Sequence, residues 1–265
     1  SIHQSSLTFL RSNVLGTRSL LEALRENPNV ELFLHFSTDE VFGTLPLNST
    51  AKFTENSPYL PNSPYAASKA GADMIARAYY QTWKLPIVVI HPTNNYGPRQ
   101  LPEKMIPFFT LRAVNNLPLP LYGHGNHVRS WLHVDDCSEA AIKIMEKGEI
   151  GESYCVTADE DKPNHLIAKT ILATLRKPVS LLTYVQDRPG HDEKYSLKAA
   201  KLKKLGWKPK RKLNTHLPET IMWYKKNADW TKKTVKNRKS FNRHIKSPSL
   251  KKEEAMGYFS KGDRR

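Results

Sequence analysis

Two stretches of this sequence, residues 30–36 and 85–91, are rich in apolar, β-branched and aromatic residues and end in polar ones, and a stretch with helical spacing, 65–83, lies between them. Apolar runs of this kind are typical of strands buried within a parallel sheet. A strand, a helix and a second strand in this order predict an α/β fold with a doubly wound parallel sheet. Because ligands of such sheets bind beyond the carboxyl ends of the strands, the polar residues that follow both strands are the first candidates for a functional site.

The first strand is followed by the segment Ser37-Thr38-Asp39-Glu40-Val41-Phe42-Gly43. Two adjacent carboxylates at the end of a strand can serve as an acid and a base if their surroundings separate their pKa values. An acidic pair on the protein surface is the alternative interpretation. The second strand is followed by two amides, Asn94 and Asn95, which would lie at the same edge of the sheet.

Tyr65 and Lys69 stand four residues apart in the predicted helix, which places them one turn apart on one face. The ammonium group of Lys69 is therefore expected to lower the pKa of the Tyr65 phenol, which is about 10 without perturbation, and to make the phenol a usable base. An ordinary pair on the surface of a helix is the alternative. The acidic segment that follows the first strand favours the catalytic interpretation.

The positive charge of the chain is concentrated near its C-terminus. The formal net charge is +16, and residues 198–265 hold 22 of the 41 Lys and Arg residues but only five of the 25 acidic ones. Residues 236–265 are basic and poor in apolar side chains, which predicts a disordered tail with weak, salt-sensitive binding to polyanions. A non-specific anchor to nucleic acid or to an anionic surface is the functional alternative.

Cysteine and histidine usage predicts neither a disulfide framework nor a metal site. Only Cys137 and Cys155 occur, without C-x-x-C or paired histidine spacing, so a reducing, cytoplasmic compartment is expected. No apolar run approaches the roughly 20 residues of a membrane span, and the first residues lack the features of a secretory signal. The chain does not begin with methionine, which suggests a fragment.

Beyond residue 98 the sequence changes to short elements separated by prolines, which predicts a second, smaller α/β lobe. Prolines and small polar residues between 46 and 64 predict a loop that covers the site. The periodicity predicts helices at 7–26, 65–83, 103–115, 135–146, 164–175, 197–204 and 217–233, and strands at 30–36, 85–91, 119–122, 153–157 and 181–185.

Several motifs, taken together and in this order, resemble the nucleotide-sugar 4,6-dehydratases, which are extended short-chain dehydrogenases, and most closely those that act on dTDP-glucose. The resemblance covers about residues 1–230. The segments that carry it are Asn13-Val14-x-Gly16-Thr17, Ser37-Thr38-Asp39-Glu40-Val41, Tyr65-x-x-x-Lys69, Asn94-Asn95-Tyr96-Gly97-Pro98, Pro102-Glu103-Lys104-x-Ile106-Pro107 and Asp187-Arg188-Pro189-Gly190-His191-Asp192. Tyr-x-x-x-Lys alone is a weak signal, whereas the adjoining Thr-Asp-Glu is specific to this branch of the family.

The resemblance implies an NAD-dependent lyase that converts dTDP-glucose or UDP-glucose to a 4-keto-6-deoxy sugar. Tyr65, oriented by Lys69, would remove the proton of the 4-hydroxyl group while NAD takes the hydride from C4, and Thr38 would hold that hydroxyl group. Glu40 would then abstract the C5 proton, and Asp39 would protonate the departing 6-hydroxyl group. NADH would return the hydride to C6.

The resemblance also implies binding residues, domains and a partner. Residues 1–98 would form the remainder of an NAD-binding Rossmann domain that is incomplete at its N-terminus, and residues 99–235 mainly a substrate-binding lobe. A homodimer would form through the helices at 7–26 and 65–83. Cofactor contacts would come from Tyr65, Lys69 and Asn95, and substrate contacts from Thr38, Asn94, Lys104, Pro120, Leu121, Tyr122, Arg129, Asn164, Asp187, Arg188, Pro189, Gly190 and His191.

The sequence also departs from the family pattern. The glycine-rich G-x-x-G-x-x-G loop, whose amides anchor the cofactor pyrophosphate, does not occur in these 265 residues. A non-catalytic nucleotide-sugar-binding or dimerisation partner is therefore the alternative to an enzyme. Ser130 stands where the bacterial pattern has Asp, and Thr157 stands where the family has Gly, which leaves the choice between dTDP and UDP open.

Overall fold

The computed structural model describes residues 6–236, so the predicted tail lies outside the described residues except for Lys236. Within that range the chain forms two compact units whose segments alternate along the sequence. The first unit contains residues 6–95, 127–161 and 190–212, and the second contains residues 96–126, 162–189 and 213–236. The first crossing between units falls at Asn95 and Tyr96, close to the predicted boundary at residue 98, and four more crossings follow it. Which unit binds the cofactor and which binds the substrate stays a prediction.

Helices and strands alternate along most of the described chain. The helices are α1 (Ser6–Phe9), α2 (Gly16–Glu26), α3 (Pro64–Trp83), α4 (Met105–Val114), α5 (Val134–Lys147), α6 (Asn164–Leu175), α7 (Ala200–Lys204), α8 (Leu213–Lys226) and α9 (Ala228–Lys236). A π-helical segment, Leu10–Leu15, joins α1 to α2. The strands are β1 (Phe33–Phe36), β2 (Ile87–Pro92), β3 (Asn94–Tyr96), β4 (Leu119–Tyr122), β5 (Val128–His133), β6 (Ser153–Val156), β7 (Asp161–Pro163) and β8 (Leu182–Val185).

A parallel sheet in the order β1-β2-β6 forms the centre of the first unit. Successive residues of β2 face opposite sides of the sheet. Val88 and Ile90 pack in a core with residues of α5 and α7, whereas Ile87 packs with residues of α2 and α3. Helices therefore cover both faces of the sheet, which confirms the predicted doubly wound architecture.

Helix α3 begins and ends at residues suited to those positions. Ser63 precedes it and accepts a hydrogen bond from the Ala66 amide at 3.1 Å, and Pro64 occupies the first turn, where no backbone donor is needed. Lys84 follows the helix in the left-handed conformation, and its amide donates to the Tyr80 carbonyl. The predicted helix over residues 65–83 is thereby confirmed.

The second unit is built around a parallel pair of strands, β4 and β8, with helices α4, α6 and α8 packed together. Tyr224 of α8 is buried, and its hydroxyl group donates to the carbonyl oxygens of Gly97 at 3.0 Å and Gln100 at 2.9 Å. These bonds fix the start of the loop that contains Lys104.

The predicted secondary structure is wrong in several details, among them the short strands β3 and β7, which were not predicted. A single helix over residues 217–233 is replaced by α8 and α9, which are separated at Asn227, whose side-chain amide donates to the Trp223 carbonyl at 2.9 Å. Strand β5 was not predicted, because buried polar residues interrupt its apolar pattern. Between residues 6 and 236, no helix combines the length and the apolar character needed to cross a membrane.

Candidate active site

The acidic segment follows β1 directly and folds into one turn of 3₁₀ helix, Asp39–Phe42. Thr38 caps this turn, because its hydroxyl oxygen accepts a hydrogen bond from the Glu40 amide at 3.4 Å. The same hydroxyl group donates to Asp39 Oδ1 at 3.2 Å. Gly43 ends the turn with φ of 84°, and a Cβ atom there would lie 2.4 Å from the Leu60 carbonyl oxygen. Only glycine fits this position without strain, so Gly43 allows the sharp change of backbone direction with which the acidic segment ends.

Asp39 is buried, which rules out the interpretation of an acidic surface pair. Its side chain is 3% exposed, and Oδ2 has no hydrogen-bond partner among the described residues. Burial, and secondly the charge of Glu40, raise the pKa of Asp39 to about 7, although Arg129 acts in the opposite direction. Two neighbouring carboxylates thus meet different surroundings, as an acid and a base require.

Helix α3 carries Tyr65 and Lys69 to the end of β1. The ammonium group of Lys69 donates to the Phe36 carbonyl oxygen, the last of the strand, at 2.5 Å. Burial, and then the charges of Glu40, Asp39 and Asp73, raise the pKa of Tyr65 to about 12. The structure therefore places the phenol where the charges of the acidic segment act on it.

The prediction that Lys69 makes the Tyr65 phenol acidic is wrong for this structure. Burial and three negative charges dominate the surroundings of the phenol, and burial also lowers the pKa of Lys69, against the effect of Asp73. Spacing along a helix reveals neither the burial nor the charges that come from other elements.

The π-helical segment contacts the turn of α3 that contains Tyr65. Asn13 donates to the Ser68 hydroxyl oxygen at 2.9 Å, and Ser68 donates to the Tyr65 carbonyl at 2.7 Å. The rings of Phe9 and Tyr65 meet edge to face, with centroids 5.6 Å apart. Short π-helical segments are frequent at functional sites, and this one supports the backbone of Tyr65.

The two predicted amides follow β2. Asn94 Oδ1 is buried without a partner among the described residues, whereas the Asn95 amide donates to the Thr93 carbonyl at 3.0 Å. Asn94 thus offers a buried acceptor in the same unit as Asp39.

Arg129 is buried in the first unit and binds backbone. Its guanidinium group donates to the carbonyl oxygens of Val128 at 2.8 Å and Asp192 at 3.0 Å and lies 4.3 Å from the centre of the Tyr195 ring. The same unit holds Gly190 and His191, whose ring stacks on His127 with centroids 3.7 Å apart. A contact of these three residues with substrate stays a prediction.

The two departures from the family pattern meet in the core. The hydroxyl groups of Ser130 and Thr157 lie 2.8 Å apart, and both side chains are fully buried. Thr157 also accepts from the Asp159 amide at 3.1 Å. Ser130 thus bonds to Thr157 within the protein.

The remaining predicted substrate residues lie in the second unit. Strand pairing sets Tyr122 opposite Val185, and Gly123 lies beside the Asp187 carboxylate, so the ends of β4 and β8 bring two predicted regions together. Asn164 begins α6, and its buried Oδ1 has no partner among the described residues. Lys104 precedes α4 and is exposed. Contacts with substrate stay predictions for Lys104, Pro120, Leu121, Tyr122, Asn164, Asp187, Arg188 and Pro189.

Sequence reasoning missed Asp73, which lies one turn beyond Lys69 on the same face of α3 and is 2% exposed. The signal was available, since a third polar residue continues the spacing of Tyr65 and Lys69. Its four partners come from residues distant in the sequence and were not foreseeable.

Comparison with known proteins shows which family the chain resembles. The profile of the family described as GDP-mannose 4,6 dehydratase matches residues 1–220. The dTDP-glucose 4,6-dehydratase of Xanthomonas campestris pv. campestris is 43% identical over 240 residues, which are 84% of this chain and 68% of that protein.

Solved structures give the same result. The dTDP-glucose 4,6-dehydratase of Bacillus anthracis, in complex with NAD, is 43% identical with a TM-score of 0.82 over 87% of this chain and 73% of that one. DesIV of Streptomyces venezuelae, a dTDP-glucose 4,6-dehydratase also solved with NAD, is 38% identical with a TM-score of 0.84 over 87% and 70% of the two chains.

A doubly wound parallel sheet with Tyr and Lys one turn apart beside a strand end defines a short-chain dehydrogenase with a Rossmann fold. The matched profile and the identity to relatives narrow that class. The chain belongs to the family of nucleotide-sugar 4,6-dehydratases, and the resemblance seen in its motifs is confirmed.

Proposed function

We propose that the protein dehydrates a nucleotide-activated hexose, dTDP-glucose or UDP-glucose, to its 4-keto-6-deoxy sugar with NAD as cofactor. The observation that carries this proposal is the buried Asp39 beside Glu40: its pKa is raised to about 7, and the charges of both residues act on Tyr65. A carboxyl group that holds its proton near neutral pH is suited to protonate a leaving hydroxyl group. Its neighbour supplies the base that the same elimination requires.

The donor and acceptor groups of the site fit a sugar. Asp39 Oδ2 and Asn94 Oδ1 are buried and have no partners among the described residues. Asn94 Oδ1 is an acceptor, and Asp39 Oδ2 is a donor when the carboxyl group holds its proton. Each such atom costs about 1–3 kcal/mol when left unsatisfied, and a sugar hydroxyl group, which can both donate and accept, removes that cost. A polyhydroxylated ligand is therefore the chemical class that the site favours.

The reaction divides into three steps among the residues of this chain. Tyr65, in its phenolate form, receives the proton of the 4-hydroxyl group as the C4 hydride leaves, so the alcohol becomes a ketone. Glu40 removes the C5 proton, the C6–O bond breaks, and Asp39 donates the proton with which the oxygen leaves as water. The hydride then adds to C6 and a proton returns to C5, so the overall change is the loss of one water molecule. Bound NAD supplies the hydride acceptor and donor, and its positive ring charge opposes the effect of the acids on the Tyr65 phenol.

Cofactor binding is the critical point of this proposal. Tyr65, Lys69 and Asn95 would hold the nicotinamide side, because Lys69 has donors beyond the one used on Phe36. The glycine-rich loop does not occur in these residues. Titration of NAD into the 265-residue chain tests the point, with Lys69→Ala as the matched variant. We expect micromolar binding that the variant weakens. Equal affinity of both proteins for NAD would show that Lys69 does not contribute to cofactor binding. If neither protein binds NAD, the non-catalytic alternative is favoured.

Activity itself is tested with dTDP-glucose and UDP-glucose in parallel, with NAD present. We expect a 4-keto-6-deoxy product, which is recognised by its absorbance in alkali, and the ratio of kcat/KM between the two substrates identifies the nucleotide. The Asn94→Ala variant should raise KM, because it removes a buried acceptor. If the wild-type chain gives no product from either substrate, the proposed reaction is wrong.

A homodimer through α1, α2 and α3 belongs to the same proposal. Leu7, Leu10, Leu15 and Leu20 on the first helices and Met74 on α3 are about half exposed, and exposed apolar surface of this extent is typical of an interface. Sedimentation at micromolar concentration should give a dimer that Leu20→Glu dissociates, while Ile142→Glu on α5, a matched exposed site, leaves it intact. A monomeric wild-type protein would contradict the dimer.

Two further parts of the proposal concern location and the C-terminal residues. The two cysteines, Cys137 and Cys155, are free and buried, which fits a cytoplasmic protein. Residues 236–265 are proposed to bind polyanions weakly through their basic charge. A chain that ends at Lys236 should lose retention on heparin at low salt and keep its melting temperature. Unchanged retention would contradict the proposed polyanion binding.

A further inference from the structure

The carboxylate of Asp73 lies at the meeting point of four segments of the first unit. It accepts hydrogen bonds from His35 of β1 at 3.0 Å, from the Ser37 hydroxyl group at 2.6 Å, from Tyr59 at 3.1 Å and from His91 of β2 at 3.2 Å. Asp73 itself belongs to α3 and is 2% exposed. One side chain thus ties α3 to both strands whose ends form the site and to the loop that precedes the helix.

The carboxylate of Asp73 is ionised at neutral pH. Burial alone would raise its pKa, but the hydrogen bonds from His35 and His91 and the other groups around it outweigh burial and hold the pKa well below its ordinary value. Because an ionised carboxylate only accepts hydrogen bonds, the Nε2 atoms of both histidines carry protons directed at it. His91 Nε2 also lies 2.8 Å from the Tyr59 hydroxyl oxygen, so the network is closed.

Two features connect this network to the proposed reaction. Ser37, which makes the shortest of the four bonds, is the residue directly before Thr38 and the acidic segment. Helix α3 places Asp73 one turn from Lys69 and two turns from Tyr65, on one face. The charge of Asp73 raises the pKa values of both Lys69 and Tyr65.

We propose that Asp73 is a positioning residue for the dehydration, whose carboxylate holds the segment after β1 against the face of α3 that carries Tyr65 and Lys69. The inference rests on the proposed function and extends it to a residue that does not touch the reacting atoms. The geometric part of this role is the hydrogen bond from Ser37 to Asp73. The electrostatic part is the effect of the Asp73 charge on Lys69 and Tyr65, which lie on the same face of α3. Displacement of reacting groups by about 1 Å can cost about 100-fold in rate, so loss of this bond should lower kcat more than it changes KM.

The electrostatic part has a definite sign. Removal of the negative charge in Asp73→Asn favours the deprotonated forms of nearby groups, so the pKa values of Lys69 and Tyr65 both fall and the pH profile of kcat moves to lower pH. The other groups that face this region are His35 on β1, His91 on β2, and Tyr59 in the preceding loop. Asp39 and Glu40 face Tyr65 from the 3₁₀ turn. All of these remain in the variant, and a variant that loses a hydrogen bond but keeps the charge separates the two contributions.

The test compares Asp73→Asn with Ser37→Ala, which removes the shortest bond and leaves the charge, in the full chain. We expect both variants to lower kcat, about 100-fold for Asp73→Asn, and only Asp73→Asn to move the pH profile. Asp159→Asn, which removes a surface carboxylate paired with Lys52 and Lys203, is the control and should change neither. If the wild-type chain is inactive, the proposed function fails; if it is active and both variants keep its kcat, the positioning role is wrong.

A second readout needs neither substrate nor cofactor. Lysines labelled by reductive ¹³C-methylation are titrated by NMR, and the Lys69 signal is assigned by its loss in Lys69→Arg. The pKa of Lys69 should be lower in Asp73→Asn than in the wild type. In Ser37→Ala it should equal that of the wild type. Identical titration in all three proteins would overturn the electrostatic part. If Asp73→Asn does not fold, Tyr59→Phe takes its place beside Ser37→Ala in the kinetic comparison. Tyr59→Phe removes one hydrogen-bond donor to Asp73 and keeps the charge. Wild-type kcat in both variants would overturn the geometric part.

Discussion

The Asp39→Asn substitution should make the protein more stable at neutral and alkaline pH, although it removes a proposed catalytic group. The folded protein raises the pKa of Asp39 from 3.8 to about 7. A folded-state pKa above the unfolded value means that the folded chain holds this proton more tightly, so its contribution to stability falls as the pH rises from about 4 to about 7. Asparagine resembles the neutral acid and does not titrate.

The magnitude follows from the two pKa values. The folded and unfolded pKa values of Asp39 differ by about 3, and because a difference of one in pKa corresponds to about 1.36 kcal/mol, the free-energy difference is about 4 kcal/mol. This free-energy difference is an upper bound, because water that enters the site when the surrounding structure relaxes reduces the cost of burying the charge. Asp39 is 3% exposed, so screening by solvent in the folded state removes little of it.

Urea denaturation across pH measures this effect. The free energy of unfolding of Asp39→Asn should exceed that of the wild type above about pH 7, and the difference should vanish toward pH 4. Asp159→Asn is the control, and its expected effect has the opposite sign. Burial raises the pKa of Asp159, but ion pairs with Lys203 and Lys52 outweigh burial and lower it. At a pH above the pKa of the unfolded state, loss of this carboxylate should therefore destabilise the protein slightly. If Asp39→Asn is no more stable than the wild type at pH 8 and the difference does not depend on pH, the burial argument for Asp39 is wrong.

Two further substitutions test the local structure around the site. Gly43→Ala should destabilise the protein by about 1–3 kcal/mol or more, because its φ of 84° and the Leu60 carbonyl oxygen at 2.4 Å exclude a Cβ atom; a neutral effect in urea denaturation would contradict the backbone path of the acidic segment. Ser63→Ala should cost about 1 kcal/mol through loss of the cap on α3, whereas the exposed Ser138→Ala on α5 should cost less. Equal losses in the two serine variants would contradict the role of the cap.

Much of the first unit was predictable because its signals are local. The apolar runs that became β1 and β2, and the Ser-Pro start of α3, depend on neighbouring residues and were recognised. Strand β5 was missed because its polar side chains, Arg129, Ser130 and His133, are buried by partners that the sequence does not identify. Burial of polar residues is decided by tertiary contacts, and periodicity does not detect it.

The candidate site shows the same limit. Its residues were named from their place at strand ends and on one helix face, and the structure brings Asp39, Glu40 and Tyr65 into one field. Their ionisation was predicted in the wrong direction for Tyr65, because the phenol is buried among acids from another element. Asp73 escaped notice because its partners come from two strands and a loop. Long-range contacts determine pKa values, whereas sequence spacing gives only the nearest turn of helix.

The division of labour between Tyr65 and the acidic pair is the central claim, and rapid mixing of each variant with NAD and the sugar nucleotide tests it most directly. The amount of NADH formed is followed by its absorbance for Tyr65→Phe, Asp39→Asn and Glu40→Gln. Asp39→Asn and Glu40→Gln should accumulate NADH, because oxidation at C4 proceeds and elimination is blocked, and Tyr65→Phe should form almost none. Equal loss of NADH formation in all three variants would contradict the claim.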